Sequence, residues 1–261
     1  MTTNGLETAP ELGTDGESSA VVRALIERGR ERRLQHDVAA FEEAVPLLRE
    51  AIEMAPTSAP AYVELSETYA AWGLLRESAC LGFWRELRVL EFQSLYDMAY
   101  GYAETALRLA PEQSAVHRAM AAALRRGARV DPERRAREAA LAVELDPEDS
   151  EALVERWRVL GYDPDDADIR RVVETHPDLL SARLDWAAAL SERGRFADAL
   201  VALEQALRLH PSNIQVYHDI ALLLDRKGLR PKALEILGKA RDLRPDDPLI
   251  KQGFALLGEQ P

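Results

Sequence analysis

Apolar residues recur three and four places apart along most of this chain, the spacing of one face of a helix. Six times that pattern closes on nearly the same phrase: AIEMAP at 51–56, ALRLAP at 106–111, AVELDP at 142–147, VVETHP at 172–177, ALRLHP at 206–211 and ARDLRP at 240–245. Small alanines and bulky leucines or valines alternate along a helix, and then proline, which has no N–H and a ring that clashes with the preceding turn, ends it. Pro177, Pro211 and Pro245 fall at a fixed period of 34 residues. A beat of that length predicts a stacked array of helix hairpins, in which each unit buries its apolar face only against its neighbours.

Two successive units show the pattern most fully. In 180–213 the marked positions are Trp186, Ala187, Leu190, Gly194, Phe196, Ala199, Leu203, Ala206 and Pro211. In 214–247 they are Tyr217, Ile220, Ala221, Leu224, Gly228, Ala233, Leu237, Ala240 and Pro245. Each unit reads as helix, glycine turn, helix, with small residues where two helices approach and large ones where hairpins meet. On these residues the chain resembles the tetratricopeptide-repeat family over roughly residues 22–258. The resemblance implies an all-α, right-handed α-solenoid of about six hairpins, at 22–58, 59–113, 114–149, 150–179, 180–213 and 214–247, with a capping helix at 248–258. The last segment would pack through Leu249, Ile250, Phe254, Leu256 and Leu257.

The beat fails in two places. Between Pro147 and Pro177 the unit is short, and its acidic turn GYDPDDAD implies a truncated second helix. Between Pro56 and Pro111 the interval is 21 residues too long, and the excess lies within 74–110, a stretch without proline. A separate extra helix there would flip every later hairpin. A lengthened second helix would keep the polarity and project as a rod of about 55 Å. The second form is the expectation, with a kink near residues 92–94, where Ser94 and Asp97 have the spacing of a capping box. The segment also holds Phe83, Trp84, Phe92, Tyr96 and Tyr100, either core aromatics or, on a projecting helix, a self-association face.

Composition changes this picture little. Hydrophobic residues make up 47% and charged residues 30%, enough apolar material for a core. No apolar run is long enough for a membrane span. The acidic start, residues 1–18, reads as a disordered tail before the solenoid at 19–261. It has neither the basic and apolar parts of a signal peptide nor a lipidation cysteine, so the expected location is cytoplasmic. A net charge of −12 opposes nucleic acid and anionic lipid. The lone Cys80 reads as a small buried hydrophobe.

Chemistry is nearly absent from the sequence. Five scattered histidines show no i, i+4 pairing with a carboxylate, the aspartates of 163–168 lack the calcium-hand glycine and glutamate, and no phosphate loop or nucleophile elbow occurs. The expectation is therefore no catalytic residue, no metal and no cofactor, and a protein that is not an enzyme. By the family's pattern, first helices line a concave face where a partner protein or peptide docks. That projection puts Arg118, Ala122, Arg125, Arg126, Val154, Glu155, Arg158, Leu184, Asp185, Ala188, Glu192, His218, Asp219, Leu222 and Arg226 inward. Of these Arg118, Arg125, Arg126 and Arg158, with His218, Asp219 and Arg226, are the candidate partner-binding residues. Arginine forks suit an acidic segment. The family's carboxylate clamp for chaperone tails needs Lys and Asn, where this chain has Leu184, Ala188, His218 and Leu222. The leading expectation is an adaptor or scaffold. The alternatives are a self-assembling homo-oligomer built on 74–110 and a transporter-associated repeat component.

Overall fold

The computed structural model describes the backbone of residues 14–78, 85–126 and 128–258, and the side chains of 18–76, 93–126 and 128–258. Thirteen helices occupy the described residues, in the order α1 (Thr14–Leu34), α2 (Val38–Met54), α3 (Ala59–Ser78), α4 (Arg85–Leu109), α5 (Ser114–Ala123), α6 (Pro132–Leu145), α7 (Ser150–Val159), α8 (Ala167–Thr175), α9 (Leu180–Glu192), α10 (Phe196–Leu209), α11 (Ile214–Arg226), α12 (Arg230–Leu243) and α13 (Pro248–Leu256). They pair in sequence as hairpins, each stacked on the next, in an α-solenoid.

The repeated phrase builds the same corner six times. The residue before each proline donates its N–H four residues back, from Ala55, Ala110, Asp146, His176, His210 and Arg244 to Ala51, Ala106, Ala142, Val172, Ala206 and Ala240. Proline cannot extend that ladder. The residue two places beyond the proline then donates to the carbonyl just before it, as in Ser58 to Ala55, Asp149 to Asp146 and Asn213 to His210. Asp149, Asn213 and Asp247 go on to cap α7, α11 and α13 through their side chains. Between α9 and α12, Gly194 and Gly228 supply the positive φ of the hairpin turns, at 75° and 74°.

The alanines of the phrases are where helices touch. Ala51, Ala106, Ala142, Ala206 and Ala240 are all fully buried. Around them Leu190, Leu203, Ile220, Leu224 and Leu237 form the core of the last two hairpins, which α13 closes with Ile250, Phe254 and Leu257. Leu256 instead is 45% exposed, because a helix that turns 250, 254 and 257 inward must turn 256 out.

The stretch 74–110 departs from expectation. It is divided between two helices, the end of α3 and the whole of α4, and α4 runs unbroken through residues 92–94. With 25 residues α4 spans about 37 Å, not a 55 Å rod. The insertion lengthens both arms of one antiparallel hairpin, which preserves the polarity of the later units. Ser66 Oγ donates to the Ala99 carbonyl at 2.8 Å, Tyr69 stacks on Tyr102 at 5.8 Å, and Tyr96 lies so close to Gly73 that a Cβ there would come within 2.9 Å of its ring. A single rod would leave these apolar surfaces in water. Asp97 does not cap a helix start but accepts from the Ala128 N–H at 3.1 Å. Cys80, Phe83 and Trp84 lie outside the described residues, as does the Phe92 side chain. Tyr96 and Tyr100, at 1% and 9% exposure, are core residues rather than an outer association face. The helix α1 begins at Thr14, inside the segment expected to be tail.

Candidate interaction surface

The inward positions of the first helices do converge on one side of the array. Arg118 and Ala122 of α5, Arg125 of the turn that follows it, and Val154, Glu155 and Arg158 of α7 line a cavity of about 80 Å³. Its other wall comes from α1, the α1–α2 turn and α3, through Arg33, His36, Glu67 and Leu74. Beyond His36 and Leu74 lies a second, more open pocket of about 220 Å³, lined by Leu184, Asp185 and Ala188 of α9 and Asp219, Leu222 and Arg226 of α11.

The first cavity is ionic and its arginines are already engaged. Arg118 Nε meets Glu67 at 2.5 Å and its Nη1 meets Asp149 at 2.8 Å. Arg33 bridges three carboxylates, Glu64 at 2.9 Å, Glu151 at 2.8 Å and Glu67 at 3.1 Å, and Arg30 adds a second contact to Glu151 at 2.8 Å. Arg158 pairs with Asp185 at 2.7 Å, while Arg135 pairs with Glu155 at 2.6 Å. Arg125, half-buried, donates to the Tyr162 hydroxyl. Charges taken out of water must be matched in this way, because an unpaired one would cost several kcal/mol.

Around Arg33 and Arg118 the carboxylates settle unequally. Burial, together with the charges of Glu151 and Glu64, pushes Glu67 up to about 7 against the pull of Arg118 and Arg33. Burial also opposes the charge on Glu151, but Arg118, Arg33 and Arg30 overcome it and hold its carboxyl well below the usual carboxylate range. Burial alone is the main reason that the His36 imidazole is lowered to about 4.

The arginine forks expected to grip an acidic segment are thus mostly closed by the chain's own carboxylates. Arg118 is 7% exposed, and Arg126 is exposed but lines neither pocket. His218 is buried, with Nδ1 3.3 Å from Asp219, and packs against α13 beside Gly253. Asp219 accepts from Gln215 Nε2 at 2.6 Å. Arg226, at the exposed edge of the second pocket, donates to Ser191 Oγ at 3.2 Å. The aspartates of 163–168 work as turn and capping groups: Asp166 caps α8 and Asp165 pairs with Arg195 at 2.7 Å. Among the described residues no cluster of His, Cys, Asp or Glu could hold a metal, and no helix is long and apolar enough to cross a membrane.

Arg30, Arg33, Glu64, Glu67, Asp149 and Glu151 are not among the residues that the repeat pattern marks. A signal for some of them was present: Arg30 and Arg33 stand three apart on the helix that buries Val22, Leu25 and Ile26, and Glu64 and Glu67 have the same spacing on α3.

Residues 190–257 match the model of the tetratricopeptide-repeat family. No curated protein matches the chain. Among solved structures, one chain of the Cut9–Hcn1 hetero-tetramer of the APC/C is similar over 95% of this chain and 47% of its own length, with 15% identity and a TM-score of 0.56. This chain therefore spans about half of that one. The pilF protein of Pseudomonas aeruginosa is similar over 92% of this chain and 99% of its own, at 17% identity and a TM-score of 0.46. YrrB, described as a repeat protein with an unusual peptide-binding site, is similar over 88% of this chain and 95% of its own, at 21% identity and a TM-score of 0.31. At 15% identity the likeness to the Cut9–Hcn1 chain is one of fold alone.

Proposed function

We propose that this tetratricopeptide-repeat solenoid is a non-enzymatic scaffold that takes a segment of a partner protein on the concave side of its last two regular hairpins. The fold is one that generally mediates protein–protein interaction. The observation that carries the reading is the pocket of about 220 Å³ between α9 and α11, whose apolar floor of Leu184, Leu203, Leu222 and Leu223 is bordered by Asp185, Asp219 and Arg226. An apolar floor supplies burial, and a rim of both signs supplies orientation. The ionic cavity beside it is less suited to a partner, because an incoming carboxylate would have to displace Glu67, Asp149 or Asp185 from their guanidiniums.

The exposed Ala188 faces this pocket, so Ala188→Arg should fill it without touching the core. Proteins captured from native extract by the parent chain should be lost at least about tenfold with the variant, as expected for removing a central contact. Equal capture by both chains, with unchanged circular dichroism, would overturn the reading.

A further inference from the structure

The turn joining α1 to α2 reaches across the concave side to the last regular hairpin. Asn213 Nδ2 donates to the Gln35 carbonyl at 2.8 Å and lies 3.4 Å from the carbonyl of His36. Asn213 Oδ1 accepts from the Val216 N–H at 3.2 Å while capping α11, which determines which end of the amide faces the turn. One residue further on, Arg244 Nη1 meets Asp37 Oδ2 at 2.6 Å. Between these contacts His36 sits 7% exposed with φ at 50°, a conformation that non-glycine residues seldom adopt. Local strain and a buried imidazole are both unfavourable, so the surrounding contacts must hold the turn in place. Those contacts are two backbone carbonyls and one carboxylate. They recognise main chain and charge, as a receptor recognises a peptide, whereas the helices of the last two hairpins meet one another mainly through alanine and leucine.

We propose that Asn213 and Arg244 form a peptide-binding site for a short acidic turn, two successive carbonyls followed by a carboxylate, and that Gln35–Asp37 is its resident, displaceable occupant. The inference rests on the concave side being the partner surface, since His36 also borders the pocket between α9 and α11. A partner carrying such a turn would take the place of 35–37 and open that pocket in the same step. Tethering gives the resident turn an effective concentration of millimolar order, so a free peptide competes poorly until the turn is weakened.

The probe is a fluorescein-labelled peptide of residues 31–41, titrated with the full chain and followed by anisotropy. Asp37→Asn keeps an oxygen for the Ala39 N–H that caps α2 but removes the charge opposite Arg244. This variant should bind the peptide at least tenfold more tightly than the parent, and adding Arg244→Ala should cancel the gain. No gain in a variant with native circular dichroism, or a gain that survives Arg244→Ala, overturns the proposal and leaves the contact as packing. If Asp37→Asn fails to fold, hydrogen exchange of the parent chain with saturating peptide decides: faster exchange at 35–41 supports displacement, and unchanged exchange rejects it. Absent peptide binding with partner capture still sensitive to Ala188→Arg would reject this site alone. Peptide binding with capture indifferent to Ala188→Arg would reject the scaffold surface alone.

Discussion

Between α9 and α12 the packed core is leucine, isoleucine, valine and alanine, with Arg183, Ser191, Gln215 and His218 buried beside it, whereas where α1, α3, α5 and α7 meet the interior holds a network of ion pairs among Arg33, Arg118, Glu64, Glu67 and Glu151. Both regions stack hairpins, but they are specified differently. The apolar region needs only the right sizes at the right period, and each residue is satisfied by its own or the next hairpin. The ionic region joins residues far apart in the chain, such as Arg33 and Glu151, and each guanidinium answers to several carboxylates at once. Dispersion contacts degrade gradually when an atom is lost, while a buried charge without its partner fails outright.

That difference is largest in truncation experiments. Arg33→Ala leaves Glu64, Glu67 and Glu151 short of a shared partner, and urea denaturation should show a loss of about 3–5 kcal/mol. Leu237→Ala in the apolar half should cost about 3 kcal/mol, the usual penalty for a cavity at a fully buried leucine. If Arg33→Ala costs less than Leu237→Ala, the ionic region is not the more brittle of the two.

Acid should move two sites in opposite directions. The buried His36 is held neutral, so its contribution is complete above about pH 6.5 and is lost as pH falls towards about 4, amounting to at most about 3 kcal/mol. Asp37, Asp185 and Asp219 favour its protonation and Arg158 opposes it. Glu67, raised to about 7, contributes stability that is full below the ordinary carboxylate range and is lost as pH rises through 7. Hydrogen exchange corrected for its intrinsic pH dependence should show residues 35–37 and 213–216 losing protection on acidification from pH 6.5 to 4.5, while 64–68 gains it. Parallel loss at both sites would refute the opposition.

The smallest effects compare two glycines of the long hairpin. Gly73→Ala pushes a methyl group against the Tyr96 ring and should destabilise by about 1–3 kcal/mol. Gly101→Ala meets nothing within 4 Å on α4 and should stabilise by about 0.5–1 kcal/mol through helix propensity. Thermal melts of the two variants should shift in opposite directions.

The helices and their ends were legible because the phrase before each proline is a local instruction, carried out by hydrogen bonds four residues apart. The inward positions of α9 and α11 came from the family resemblance, and of these Leu184, Asp185, Ala188, Asp219, Leu222 and Arg226 border one pocket while Glu192 and His218 do not. The long hairpin was misread because no proline or turn motif marks its reversal, and the evidence for two arms is their packing, with Tyr69 against Tyr102 and Tyr96 against Gly73. The seven candidate binding residues were selected by direction and by the polar chemistry of their side chains. Direction cannot say that Arg118 already holds Glu67 and Asp149, or that His218 lies beneath α13.

By itself the sequence determined a helical repeat array and its corners, because period, small residues and proline act over a few turns of helix. Only the tertiary structure decided that the array curves far enough for the α1–α2 turn to meet Asn213 and Arg244, and for Arg33 to meet Glu151. The curvature sums small rotations between successive hairpins, and contacts separated by more than a hundred residues leave no period in the chain for pattern to reveal.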